Sequence, residues 1–261
     1  MKTITVWNMK GGVGKTTMSF NLAANLEHQG KRTLGIDFDP QANLTSFFEK
    51  SVDQKGRKYD IHELAERSFD GLGKSIYRSK YKMLDYVKGS NRQVGLVPHI
   101  YDLETALGEI EHDYDYCVID CHPDFSAMTQ IALFTADLVI VPILLEGFSR
   151  DNLNLVQSHL TEIEYLKDSY TGEEENELPY CIVANRVANR KLQKEVYRDI
   201  VTKHDYPILD ICVSEGVAVQ SANAIHKPLY AHRKNAVSTH DMQELTEHIQ
   251  DLLCGEVDYH G

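Results

Sequence analysis

Apolar residues along this chain fall into short runs that alternate with stretches of helical spacing. Ile4-Thr5-Val6-Trp7 reads as a strand, and Leu22, Ala23 and Leu26 follow at helical spacing, with Gly30 as the stop. A second run climbs to Ile36 and Asp37, where Pro40 ends it, and Val94 to Val97 reads as a short strand closed by Pro98. The run from Tyr114 to Asp120 is a third strong strand, and Asp137 to Pro142 a fourth, with a helix from Ser149 to Leu166 behind it. Tyr180 to Asn185 is a further strand, followed by a helix carrying Leu192, Val196 and Ile200 on the face expected to meet the core. A last helix places Met242, Leu245, Ile249 and Leu252 on one face. Residues 50–92 have a weaker pattern and are expected to form a helical elaboration. Strands alternating with helices predict an α/β fold with a parallel sheet.

Composition narrows this only in places. With 261 residues, 42% of them hydrophobic, and no compositional break, residues 1–261 are expected to form a single domain with a sizeable core. Five cysteines show no paired metal-ligand spacing, so Cys117 and Cys121 read as core thiols of a reducing compartment. The longest apolar run, Leu138 to Leu145, is too short to span a bilayer, and the first residues lack a signal-peptide pattern; a cytoplasmic protein is expected. The net charge of −12 excludes a surface coated in basic charge but not a local basic patch.

The chemistry concentrates between the first strand and the first helix, in Met9-Lys10-Gly11-Gly12-Val13-Gly14-Lys15-Thr16-Thr17. Glycines let the backbone turn tightly, so that several N–H groups face one anion. The helix opening near Lys15 adds free N–H groups and the positive end of its dipole. Lys15 is placed to neutralise terminal phosphates, and the Thr16 hydroxyl to meet Mg²⁺. Residues 10–17 are thus the candidate phosphate contacts: Lys10, Gly11, Gly12, Val13, Gly14, Lys15, Thr16 and Thr17. Two carboxylates, Asp37 and Asp39, end the second strand and are expected to point at the same place, as is Asp120 at the end of the third. His122 reads as a neutral, hydrogen-bonded loop histidine.

The loop departs from G-x-x-x-x-G-K-[ST], because its first glycine would fall on Met9 and an extra lysine stands at Lys10. In this it resembles the deviant Walker A loop of the ParA/MinD group of ATPases. The segment Asp37-Phe38-Asp39-Pro40-Gln41-Ala42-Asn43 is similar to the ParA branch. The resemblance implies a three-layer P-loop NTPase fold with a mostly parallel central sheet flanked by helices, binding ATP and Mg²⁺. It implies a homodimer with ATP at the seam, Lys10 reaching the partner's nucleotide, and Asp39 positioning the attacking water or the metal shell. Thr16, Asp39 and Asp120 are the implied Mg²⁺ residues, and Asn185 the implied contact to the adenine edge. Lys10, Lys15 and Asp39 are the implied catalytic set. Glu146 lies where relatives make nucleotide or cross-dimer contacts.

Between Arg186 and Lys203 stand six basic residues and two acidic ones. Arg190, Lys194 and Arg198 are four apart, so one helix face would carry them, with Arg186 and Lys191 nearby. Such a stripe can bind phosphates without reading sequence, or it can be an ordinary solvated face. Small ParA proteins bind double-stranded DNA nonspecifically through this general region, which implies plasmid or chromosome partition with a ParB-like activator and nucleoid association of the ATP form. With the loop starting at residue 10, no N-terminal operator-binding domain is expected. The acidic last helix argues against the basic membrane-binding tail of MinD relatives. Two other readings remain: a ParA-like ATPase that positions a protein cargo, and an iron–sulfur relative, for which no cysteine stands in a recognisable motif.

Overall fold

The computed structural model describes residues 1–49, 58–92, 98–146, 149–172, 177–188, 190–203 and 206–257. The expected strand at Val94 to Val97 lies outside them, as does most of the acidic 171–177 loop. In chain order the elements are β1 Lys2–Val6, α1 Lys15–His28, β2 Thr33–Asp37, α2 Asn43–Phe48, α3 Ile61–Ala65, β3 Tyr77–Arg78, β4 Leu84–Val87, α4 Asp102–Gly108 and β5 Tyr116–Asp120. They continue as α5 Ala127–Phe134, β6 Leu138–Leu144, α6 Ser149–Thr171, β7 Tyr180–Val187, α7 Lys191–Lys203, β8 Ile208–Ser214, α8 Val217–Ala224, α9 Leu229–His232 and α10 Val237–Cys254.

One sheet runs in the order β3-β4-β2-β5-β1-β6-β7-β8. Every pairing is parallel except β3 with β4. The inner strands are buried on both faces, which is why most of them read as apolar runs. Cys117 and Ile119 of β5 face one core layer, and Tyr116 and Val118 the other. In β6, Val139, Val141 and Ile143 alternate with Leu138 and Ile140 in the same way. Pro142 lies inside β6, yet the pairing with β1 ends at Ile140, so its missing N–H falls beyond that ladder. This is the expected three-layer P-loop NTPase architecture.

Helix α1 is buried nearly all round, from Met18 to Leu26. Its polar residues serve as ties. Asn25 Nδ2 donates to Met242 O and Thr246 Oγ1 of α10, both at 3.0 Å. Asn21 Oδ1 accepts from Leu229 N of α9 at 2.9 Å. On α10, Met242, Leu245, Ile249 and Leu252 are all buried, as the spacing predicts.

The expected helical elaboration over 50–92 requires correction. Its described part holds only the five residues of α3 and a 3-10 turn at Leu72–Ser75 before β3 and β4, and β4 joins the central sheet beside β2. Asp85 hides this strand from a hydropathy reading. It is buried because Arg78 Nη1 lies 2.6 Å and the Tyr114 hydroxyl 2.9 Å from its Oδ2.

The apolar face expected on α7 is also shifted. Leu192 is 58% exposed, while Ile200 is buried and Val196 and Tyr197 pack against the core. Gln193 takes the inward place because its amide closes the turn before the helix. Its Oε1 accepts from Ala188 N at 2.7 Å and its Nε2 donates to Arg186 O at 3.1 Å. Arg190 precedes the helix, so the stripe is not one unbroken helical face.

Candidate functional site

The loop between β1 and α1 turns on two glycines in the left-handed region, Gly12 at φ 76° and Gly14 at φ 98°. Gly14 caps α1, and no side chain closes over the first turn. The helix therefore begins with donors directed at the loop's concave side. Lys15 is buried there, its Nζ donating to Asn8 O at 3.1 Å and Lys10 O at 3.2 Å. Burial pulls its pKa down, and the charges of Asp120, Asp39 and Asp124 work against that.

Strand order brings the carboxylates together. β2 and β5 are neighbours in register, with Asp37 opposite Asp120. Asp120 Oδ1 accepts from Ser19 Oγ at 3.0 Å, and the Thr16 side chain also bonds this carboxyl. Its Oδ2 is buried with no hydrogen-bond partner among the described residues. Asp39 is buried too, and its Oδ1 accepts from Gln41 N at 2.8 Å. Asp37, expected to face the phosphates, is instead taken by the first turn of α2: Oδ2 accepts from Thr45 N at 2.7 Å and Thr45 Oγ1 at 2.8 Å. Gly89 closes the other side, where a Cβ would come within 2.9 Å of that carboxyl. The segment after β4 thus buttresses the site, a role that its polar composition hides.

Lys10 extends from the loop with its Nζ 2.6 Å from Glu146 Oε2, and both side chains remain partly exposed. Asn8 organises this corner: its Oδ1 accepts from Lys10 N and Asn152 Nδ2, and its Nδ2 donates to Pro142 O. Sequence reasoning passed over Asn8, although an asparagine between an apolar strand and a glycine loop is a signal of local bonding. Asn185 lies against the loop, its Nδ2 donating to Val13 O at 2.7 Å and its Oδ1 accepting from Arg186 N at 2.9 Å. His122 sits 3.2 Å from Asp124 in the loop after β5.

The basic residues are less uniform than their spacing suggests. Arg190 pairs with Glu215 at 2.6 Å and Lys191 approaches Glu195 at 3.8 Å. Arg186, Lys194 and Arg198 are exposed.

Among the described residues no three His, Cys, Asp or Glu converge as a metal cage. A magnesium site needs no cage, since Mg²⁺ keeps most of its waters. The unpartnered Asp120 Oδ2 beside a threonine hydroxyl fits that ion. All five cysteines are free, and Cys117, Cys121 and Cys181 are buried.

The carboxyls make a pH prediction. Burial, and secondarily the charge of Asp37, raises the Asp120 pKa. Burial likewise raises that of Asp37, against the Thr45 bonds. Above about pH 4 the ligand-free fold then holds protons that the unfolded chain has lost. Its stability is full at the acid end of this window and falls as pH rises through the folded-state values. Melting temperatures of ligand-free protein should drop from about pH 5 to about pH 8, and less so for Asp120→Asn. Parallel pH curves for the two proteins would show that Asp120 carries no such strain.

A phosphate cradle with its own buried cation, next to a carboxylate seeking a metal, is the equipment of a P-loop ATPase. A family model described as an AAA domain matches residues 1–171. The sporulation initiation inhibitor protein Soj of Bacillus subtilis is 36% identical over 170 residues, 61% of this chain and 67% of that protein. The virulence plasmid ParA family protein pGP5-D of Chlamydia psittaci is 27% identical over 269 residues, 98% of this chain and 97% of that protein. The fold also matches a putative plasmid partition protein from Borrelia burgdorferi bound to AMPPNP, with a TM-score of 0.74 and 24% identity over 98% of this chain and 99% of that one. The chain belongs to the ParA family of ATPases. No described helix is long and apolar enough to cross a membrane.

Proposed function

We propose that the protein is a DNA-partition switch, in which Mg-ATP drives sandwich dimerisation and the dimer binds double-stranded DNA nonspecifically. The observation that carries this reading is Lys10. It is a second cation at a phosphate loop whose own lysine is already buried in place, and among the described residues its partly exposed ammonium pairs only with the Glu146 carboxylate. In this reading the loop N–H groups and Lys15 hold the phosphates. Mg²⁺ neutralises charge between the terminal phosphates, with Thr16 and Asp120 holding it, the latter through water. Asp39 orients the attacking water, Asn185 borders the base, and Lys10 crosses to the partner's nucleotide. A ParB-like protein stimulates hydrolysis and releases the dimer. ATP couples to assembly because its contacts at the seam favour the dimer.

The test is DNA binding with ATP, with ADP and without nucleotide, across a salt series. ATP-dependent binding that weakens steeply with salt is expected, as counterion release requires. Reversing Lys194 and Arg198 to Glu should lower affinity at least about 10-fold and flatten the salt slope, because two phosphate contacts are lost. A second reading, positioning of a protein cargo, draws on the pairing of Arg190 and Lys191 with acids and on the net charge of −12. Dimerisation by ATP without DNA binding at low salt would establish that reading over the first.

A further inference from the structure

Asn223, near the end of α8, has one committed amide group and one unspent. Its Nδ2 donates to Thr17 Oγ1 at 2.9 Å. Its Oδ1 is buried and has no hydrogen-bond partner among the described residues. Buried acceptors are nearly always satisfied, so one without a partner, on a residue that lines a cavity, marks a place where a ligand can bring the donor. The cavity is there. About 180 Å³ in volume, it is lined by Gly14, Thr17, Asn185, Gly216 and Met242 as well as Asn223. Gly14 and Thr17 belong to the phosphate loop and the first turn of α1, so the cavity is continuous with the cradle. Asn185 borders it as well, but both ends of its amide are already bonded within the protein.

We propose that Asn223 is a specificity-determining residue that accepts a hydrogen bond from a sugar hydroxyl of the bound nucleotide. The inference rests on the reading that residues 10–17 hold the phosphates. Two features point to the sugar and not the base. The free oxygen belongs to the same amide that holds Thr17, so it lies only an amide's width from the cradle. The sugar is the part of a nucleotide joined directly to its phosphates, and the base is one ring farther away. A hydroxyl is also a donor that suits a lone carbonyl oxygen. Through the Thr17 bond the same side chain ties α8 to the first turn of α1, so a bound sugar and a held phosphate would steady one another.

The test is calorimetric binding of ATP, 2′-deoxyATP, 3′-deoxyATP and GTP, with Mg²⁺, to the full chain and to Asn223→Ala. The wild-type chain should bind one of the two deoxynucleotides about 10-fold more weakly than ATP, the usual loss when a hydrogen bond to a buried partner is deleted. Asn223→Ala should bind ATP about 10-fold more weakly than wild type and no longer distinguish it from that deoxynucleotide. Equal wild-type affinity for ATP and both deoxynucleotides overturns the proposal, and this arm needs no variant to fold. An Asn223→Ala chain that keeps the sugar preference but loses discrimination against GTP also overturns it, assigning the side chain to the base. Failure of wild type to bind ATP at all would instead remove the phosphate-loop reading on which the proposal stands.

Discussion

Gly14→Ala should cost the fold about 2–5 kcal/mol and abolish nucleotide binding. Two separate effects meet at this position. The backbone is at φ 98°, where a side chain is strained. A Cβ would also sit 2.2 Å from Asn185 Nδ2, so the amide that donates to Val13 O must move. Displacing it leaves a buried carbonyl unpaired and shifts the end of β7 away from the loop. In a chain of this length, that loss corresponds to a fall in melting temperature of roughly 5–15 °C. The neighbouring glycines supply the controls. Gly11 has no atom within 4 Å of a Cβ and no positive φ, so Gly11→Ala should leave the melting temperature nearly unchanged; Gly12→Ala should fall between, with strain but open space. Calorimetric melts of the three variants check the order. A Gly14→Ala chain as stable as Gly11→Ala would mean that the contact between β7 and the loop is not built as described.

Lys10→Ala should leave the protomer folded and able to bind ATP while abolishing its ATP-dependent dimer. In the protomer, Lys10 and Glu146 form a partly exposed ion pair, and such pairs contribute about 0–1 kcal/mol. Lys15, buried and held by two carbonyls, remains to meet the phosphates. At a dimer seam, where water is excluded, the same ammonium facing a phosphate counts for far more. Removing one partner of a buried charge pair costs about 2–5 kcal/mol, which is a dimer at least about 30-fold weaker. Sedimentation with ATP, compared with wild type over a concentration series, reads this directly. A normal dimer would take Lys10 out of the interface, and with it the observation that supports a sandwich.

Much of this site is contiguous in sequence, and that part could be read from it. The strand, glycine loop and helix over residues 2–28 carry their own signals within one short stretch, and Asp120 closes an apolar run that gains its meaning from the loop upstream. The partners that complete the site come from far along the chain. Gly89 donates its N–H to Thr45, the residue that holds Asp37, and stands in no pattern that says so. Asn223 meets Thr17 across 206 residues. β4 was missed because a charge in its middle interrupts the apolar run, and that charge is neutralised only by the fold. Leu192 was given to the core by spacing alone, while Gln193 won the inward place through two backbone bonds that spacing cannot show.

The ties between α1 and α10 bear on how the molecule comes into being. Asn25 reaches Met242 and Thr246 across separations of 217 and 221 residues, from the helix that opens at the phosphate loop. During synthesis the glycine loop leaves the ribosome well before α10 does. The helix behind it waits with one flank bare until α10 has followed. Contacts of such separation are slow to form, and the waiting surface is a natural handhold for chaperones. The cradle is thus made well before the helix that backs it, so a ribosome-bound nascent chain carries the loop before that backing is in place.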